Sequence, residues 1–186
     1  MVTPNSTCPN WRREIKKWAP DLRVVAYYGG KEAREMAMKY ELCPEGPTDM
    51  RAHVVITSYE APVSDTLFFK RIKWAGMIVD EGQRLKNDKN QLYTALKSLR
   101  IPFQALLTGE SFPPFRFERS DQYFSGTPLQ NNKRELFNLL QFVDSKMNAA
   151  ELDEEYQELT EENLRKLHDL IRPYFLRYVY VKPRDC

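Results

Sequence analysis

Apolar and polar residues follow one another along this chain in short blocks that switch between two periods. In residues 10–18, Trp11, Ile15 and Trp18 share one face, while Arg12, Arg13, Lys16 and Lys17 lie elsewhere. That spacing predicts a helix with both tryptophans in the core, ended by Pro20. Residues 23–28 read as a strand closed by Gly29-Gly30, residues 31–40 as a charged helix, and residues 42–49, with two prolines and a glycine, as a loop. Residues 53–57 form a β-branched strand, and residues 68–74 lead into a further strand, Met77–Val79. Residues 90–100 predict a helix with Leu92, Leu96 and Leu99 inward, and residues 103–107 an apolar strand. Residues 132–142 predict a helix burying Leu136, Leu139, Leu140 and the adjoining Val143. A last helix, Glu161–Ile171, is capped by Thr160 and stopped before Pro173. Short apolar strands alternating with helices imply an α/β fold, a doubly wound, mostly parallel sheet.

Composition narrows the classes further. The 186 residues suit one domain with room for a core. A hydrophobic share of 42% and a charged share of 29% fit a globular protein in water. The net charge of +2 carries no bulk signal for nucleic acid. The basic residues are grouped locally, as Arg12-Arg13, Lys16-Lys17, Lys70-Arg71-Lys73 and Arg84 with Lys86; each group is a solvated face or a phosphate contact. Cys8, Cys43 and Cys186 form no Cys-x-x-Cys pair and read as reduced thiols of an intracellular protein, without a metal site. His53, before a strand, and His168, on a helix, read as structural. No apolar run approaches the roughly 18 residues that span a bilayer, and the N-terminus has no signal-peptide core. No membrane partner is expected.

The chemistry concentrates after Met77–Val79, in Asp80-Glu81-Gly82-Gln83-Arg84-Leu85-Lys86-Asn87. In an open parallel sheet, ligands bind beyond the carboxyl ends of the strands. In P-loop ATPases an acid at this place holds Mg²⁺ and a neighbouring group positions the attacking water. The dipeptide by itself also reads as a strand ending in solvated acids. Four further motifs decide between these readings. Upstream stand Pro4-Asn5-Ser6-Thr7 and Val55-Ile56-Thr57-Ser58-Tyr59-Glu60. Downstream stand Thr108-Gly109, resumed by Gly126-Thr127-Pro128-Leu129-Gln130-Asn131-Asn132 and Glu135-Leu136-Phe137-Asn138-Leu139-Leu140, then Ile171-Arg172-Pro173-Tyr174-Phe175-Leu176-Arg177. Together they resemble the first RecA-like lobe of the Swi/Snf-family chromatin-remodelling ATPases of helicase superfamily 2, over about residues 2–109 and 126–177. Glu-Gly-Gln, where many relatives have Glu-Ala-His, is most similar to the chromodomain-helicase (CHD) group, with a fungal member expected.

The resemblance implies a RecA-like ATP-binding lobe over residues 1–177. It implies ATP and Mg²⁺ as cofactors, double-stranded DNA or nucleosomes and remodelling-complex subunits as partners, and a nuclear location. Asp80 would coordinate Mg²⁺, and Glu81 would orient or deprotonate the water that attacks the γ-phosphate. Gln83 would couple the nucleotide site to a Thr-Gly-Thr motif carried by Thr108, Gly109, Gly126 and Thr127. Asn5, Ser6, Thr7, Thr57 and Ser58 would contact DNA phosphates, with Lys86 and Asn87 on the same surface; such contacts position a protein without reading sequence. Taken singly, these short segments also read as turns or helix caps.

Three departures from the family pattern stand out. Residues 110–126 interrupt Leu-Thr-Gly-Thr-Pro-Leu-Gln with 17 surplus residues. Gly109-Glu110-Ser111 can be encoded with a splice donor, GTGAGT, and Phe124-Ser125-Gly126 with a pyrimidine-rich acceptor ending in CAG. Joining the two restores the motif in frame, so the segment reads as a retained intron, with a genuine surface loop as the alternative. Residues 178–186 leave the family pattern. No Gly-x-x-x-x-Gly-Lys-Ser/Thr is present: the only Gly-Lys pair, Gly30-Lys31, is followed by Glu32. In relatives that cradle precedes the point matching Met1, and a second lobe follows. The polypeptide is therefore expected to be an inactive fragment. A non-catalytic DNA- or partner-binding module, and the product of a faulty gene model, remain the alternatives.

Overall fold

Among the described residues five strands, β1 (Val2–Thr3), β2 (Val24–Tyr27), β3 (Val54–Ser58), β4 (Met77–Val79) and β5 (Gln104–Leu106), form one sheet in the order β2-β3-β1-β4-β5. Every pairing is parallel. The computed structural model describes residues 1–46, 49–108, 128–158 and 160–174. The expected insert at 110–126, Gly109, Thr127 and the tail at 178–186 lie outside the described residues.

The central strand, β1, is two residues long because Pro4 follows it, and proline has no N–H for the ladder. Val2 still pairs with both Thr57 and Val79. A parallel sheet sends all its carboxyl ends to one edge. That edge gathers the segments after β1 (Pro4 to Thr7), after β3 (Tyr59), after β4 (Asp80, Glu81) and after β5 (Leu107, Thr108).

One face of the sheet carries Ile56 and Thr3, both fully buried; α1 (Cys8–Trp18) packs against β2 and β3. The helix starts two residues earlier than its apolar spacing predicts, because Pro9 suits a first helical turn. Only one of its tryptophans turns inward. Trp18 is 75% exposed and donates its indole N–H to Glu14 at 2.9 Å. Helical spacing defines a face but not how far along it the sheet reaches.

The opposite face carries Val25, Val55, Val2 and Val79 into two adjoining clusters. Helix α2 (Lys31–Met36) runs on as a π-helical turn, Ala37–Leu42, that buries both terminal residues. Helix α3 (Glu60–Ser64) follows β3, and helix α4 (Thr66–Arg71) reaches into residues 68–74, the approach to β4. Phe69 of α4 anchors it, in ring contact with Tyr27, Phe68 and Trp74. Helix α5 (Gln91–Lys97) buries Leu92 and Leu96 as expected and is capped by Asn90, whose side chain accepts from Leu92 N–H.

Both β5 and α6 (Pro128–Val143) form where their own apolar patterns place them. Helix α6 is two-sided. Leu139 and Phe142 enter the sheet core, whereas Leu136, Phe137 and Leu140 join α7 (Ala149–Glu155) and α8 (Glu161–Ile171) in a separate helical cluster. Val143, expected inward, is only half-buried. His53, expected to be structural, accepts the N–H of Arg23 on Nδ1 at 2.9 Å.

Candidate active site

The site begins with a backbone conformation. Glu81, directly after β4, is left-handed, with φ 50° and ψ 53°, a region that residues with a Cβ rarely occupy. The reversal lets Gly82 N–H donate to Leu107 O at 2.7 Å and starts a 3-10 turn, Gly82–Leu85. Gly82 sits hard against β5: a Cβ there would lie 2.9 Å from that of Leu106. The acids are thus drawn against the strand that precedes Thr108.

Asp80 is held by β1, by α1, by the residue after β3 and by its own neighbour. Its N–H donates to Val2 O at 2.8 Å, and its carbonyl accepts the Tyr59 hydroxyl at 2.7 Å. Its Oδ2 accepts the Thr3 hydroxyl at 3.0 Å and the Trp11 indole N–H at 2.8 Å. Its Oδ1 accepts the Glu81 N–H at 3.0 Å. Burial, and then the Asp80 charge, push the Tyr59 phenol above its ordinary range, so it stays a donor.

A second line of bonds runs outward. Gln83 Nε2 donates to Glu81 Oε2 at 2.6 Å, and Gln83 Oε1 accepts the Thr108 hydroxyl at 3.0 Å. Glu81, Gln83 and Thr108 are therefore brought together through one amide. Gly109, Gly126 and Thr127, named with Thr108 from the sequence, lie outside the described residues.

The residues expected on the DNA side divide into two sets. Asn5 and Ser6 are exposed at the sheet edge, and the hydroxyl of half-buried Thr7 donates to Thr3 Oγ1, with Pro4 O as its alternative acceptor at 3.0 Å. Thr57 and Ser58 are 2% and 3% exposed, and the Thr57 hydroxyl donates inward to Tyr27 O at 2.7 Å. Lys86 pairs with Glu135 of α6 at 3.3 Å, and its carbonyl accepts Asn138 Nδ2 at 2.7 Å. Asn87 is exposed and caps its own turn, accepting the Lys89 N–H.

Sequence reasoning missed Thr3, Trp11 and Tyr59. Thr3 lies one residue before a quoted motif and Tyr59 inside another, but nothing in either motif points at Asp80. Trp11 has the helical spacing of a core residue. Among the described residues no group of three or more His, Cys, Asp or Glu gathers as a metal cage. No described helix is long and apolar enough to cross a membrane.

The SNF2-related domain profile matches residues 1–112 and 121–182 of this chain. The chain is 39% identical over 181 residues to the chromatin remodeling factor mit1 of Schizosaccharomyces pombe, covering 96% of this chain and 12% of that protein. It is 36% identical over 179 residues to the CHD3-type chromatin-remodeling factor CHR7 of Arabidopsis thaliana, covering 95% and 13%. It is 34% identical over 194 residues to the chromodomain-helicase-DNA-binding protein 3 homolog of Caenorhabditis elegans, covering 95% and 10%. The chain thus spans about an eighth or less of the length of these relatives. The SWI2/SNF2 ATPase core of Sulfolobus solfataricus, solved with double-stranded DNA, superposes with a TM-score of 0.69 at 22% identity, covering 95% of this chain and 32% of that one. The shared fold is the RecA-like parallel sheet.

Proposed function

Because this chain belongs to the SNF2-related family, we propose that it supplies the acidic edge of the ATP-hydrolysing lobe of a DNA-stimulated chromatin-remodelling translocase. The observation that carries this reading is the line Thr108–Gln83–Glu81 beside an Asp80 fixed by β1, α1 and Tyr59, all at the carboxyl edge of a parallel sheet. Residues 1–177 act as a partial lobe, with 110–126 an insertion into the Thr-Gly-Thr motif formed by Thr108, Gly109, Gly126 and Thr127.

The residues fit the magnesium part of such a site. Mg²⁺ takes one or two protein carboxylates and completes its shell with water and phosphate oxygens, and Asp80 Oδ1 has a lone pair beyond its bond to Glu81 N–H. When bound, the ion neutralises charge on the phosphate oxygens. Glu81 would orient or deprotonate the attacking water, and Gln83 fixes the Glu81 carboxylate through Oε2. Gln83 in turn reports on Thr108. The phosphate cradle is not among these 186 residues, which contain no Gly-x-x-x-x-Gly-Lys-Ser/Thr. ATP hydrolysis therefore requires a cradle from outside them, and the polypeptide alone is inactive.

On the DNA side, exposed Asn5 and Ser6, with Thr7, make phosphate contacts. Thr57 and Ser58 shape the sheet edge beneath them, and Lys86 adds charge nearby. Double-stranded DNA, nucleosomes and remodelling-complex subunits are the proposed partners, and the nucleus the proposed location.

The test is direct. The 186-residue chain shows no ATPase activity above background with or without DNA, and it binds duplex DNA weakly, without sequence preference and with steep salt dependence. Turnover abolished by Glu81→Gln would disprove the inactivity and retain the role of the acid. Binding that ignores salt and Asn5→Ala/Ser6→Ala would remove the DNA reading.

A further inference from the structure

We propose that Trp11 is a positioning residue for Asp80, one that ties the orientation of the acid to the 5–7 loop. This rests on the reading of Asp80 as a cation ligand and of residues 5–7 as a phosphate-contacting loop. A carboxylate offers about four lone-pair sites, two on each oxygen. On Oδ2 both are taken, by the Thr3 hydroxyl at 3.0 Å and the Trp11 indole at 2.8 Å. On Oδ1 one is taken, by Glu81 N–H at 3.0 Å. The oxygen with a site to spare is therefore Oδ1, and Trp11 is half of what makes it so.

The choice of an indole has a chemical reason. It is a neutral donor with no acceptor, so it fixes the carboxylate without cancelling its charge. Among the described residues no lysine or arginine pairs with Asp80. A cationic partner in place of Trp11 would compete with the metal for the same charge.

The link to the loop follows from the chain path. Residues 4–7 fold onto the start of α1: the N–H groups of Thr7 and Cys8 both donate to Pro4 O, at 2.9 and 3.3 Å. The Thr7 hydroxyl donates to Thr3 Oγ1, because the single Thr3 proton goes to Oδ2. Trp11 N–H donates to Thr7 O at 3.1 Å within the first turn of the helix. Loop, helix start and both Oδ2 donors form one hydrogen-bonded unit. A displacement of the loop by a phosphate is delivered to Asp80 through two bonds.

The test uses the three indole N–H signals in the ¹H–¹⁵N spectrum of the 186-residue chain, assigned with Trp11→Phe, Trp18→Phe and Trp74→Phe. In Asp80→Asn the Trp11 indole proton moves upfield and exchanges faster with water. The indoles of Trp18 and Trp74, bonded to Glu14 and to Phe69 O, stay in place. A Trp11 signal unmoved by Asp80→Asn overturns the positioning role. A short mixed-sequence duplex at low salt then shifts the amides of residues 5–7 together with those of Asp80 and Glu81. Trp11→Phe weakens the response at 80 and 81 at least twofold while leaving the response at 5–7. Thr3→Val, which removes the other Oδ2 donor without disturbing the packing of Trp11, weakens it as well. A response at 80 and 81 that neither substitution weakens overturns the coupling. An absent response at 5–7 overturns the DNA reading and the coupling with it, and leaves positioning to be judged by Asp80→Asn alone.

Discussion

Thr108 donates its hydroxyl to the amide oxygen of Gln83 at 3.0 Å, joining the end of β5 to the turn after β4. The nitrogen of the same amide holds Glu81. An amide donates and accepts at once and does not titrate, so the link is the same at every pH near neutrality. Thr108→Val and Gln83→Leu should each cost about 0.5–1.5 kcal/mol, the usual net worth of a hydrogen bond. Urea unfolding of both single mutants and of the double mutant checks this. The double mutant should lose less than the sum, because one bond is common to the two changes; strict additivity would mean that the bond is not formed.

Asp65, between α3 and α4, accepts from Arg34 Nε at 2.7 Å and from the Tyr27 hydroxyl at 2.8 Å. Burial by itself would raise its pKa, but the bonds from Arg34 and Tyr27 outweigh that and lower it. Folding therefore favours the ionised carboxylate. Its contribution is complete above the ordinary aspartate pKa of about 3.9 and is lost as the pH falls through the lower, folded value. Asp65→Asn should destabilise the chain by about 1–3 kcal/mol at pH 7. The deficit should shrink on acidification below about pH 4. Chemical unfolding at a series of pH values measures it, and a constant deficit down to pH 2 would refute the assignment.

Lys97, on α5, caps the far end of α6. Its ammonium donates to Gln141 O at 2.6 Å and Phe142 O at 3.0 Å and lies 5.7 Å from the Phe142 ring centroid. Burial lowers its pKa, and Asp144 opposes the shift. A cation at a helix C-terminus satisfies the last carbonyls and the negative end of the dipole. Lys97→Met keeps the apolar stem and should still cost about 1–2 kcal/mol in this half-buried setting. Lys97→Arg should recover most of it, and equal stability of Met and Lys at position 97 would show the cap to be idle.

The surplus segment 110–126 carries Phe112, Phe115 and Phe117. We propose that it is an insertion that the fold does not need, since β5 and α6 are specified by their own apolar patterns. Deleting residues 110–126 rebuilds Leu-Thr-Gly-Thr-Pro-Leu-Gln and should raise solubility and thermal stability, with about 2–4 °C in Tm for each kcal/mol gained in a chain of this size. Melting curves of the two proteins make the comparison, and a lower Tm in the deletion would show the segment to be an integral part. Sequencing the transcript tests the splice reading separately.

Much of the local structure is legible in the sequence because it depends on near neighbours alone. The β4 run with its two acids, the β-branched β3, the inward leucines of α5 and the Thr160 cap of α8 all follow from period, propensity and capping chemistry. The ordered motifs likewise identify the family without coordinates. What the tertiary structure decides is whatever depends on a distant partner. A two-residue strand has no readable period, yet Val2 and Thr3 take the centre of the sheet because β3 pairs with both and β4 with Val2. Trp11 and Trp18 share a helical face, but the fold brings only Trp11 to Asp80, 69 positions away. Thr57 belongs to a hydroxyl motif in the sequence, and strand pairing with β2 turns its hydroxyl inward. Thr108 meets Gln83 across 25 positions because parallel strands end at one edge. Periodicity states which side of an element is apolar; only packing and non-local hydrogen bonding determine what covers that side and which polar groups meet at its end.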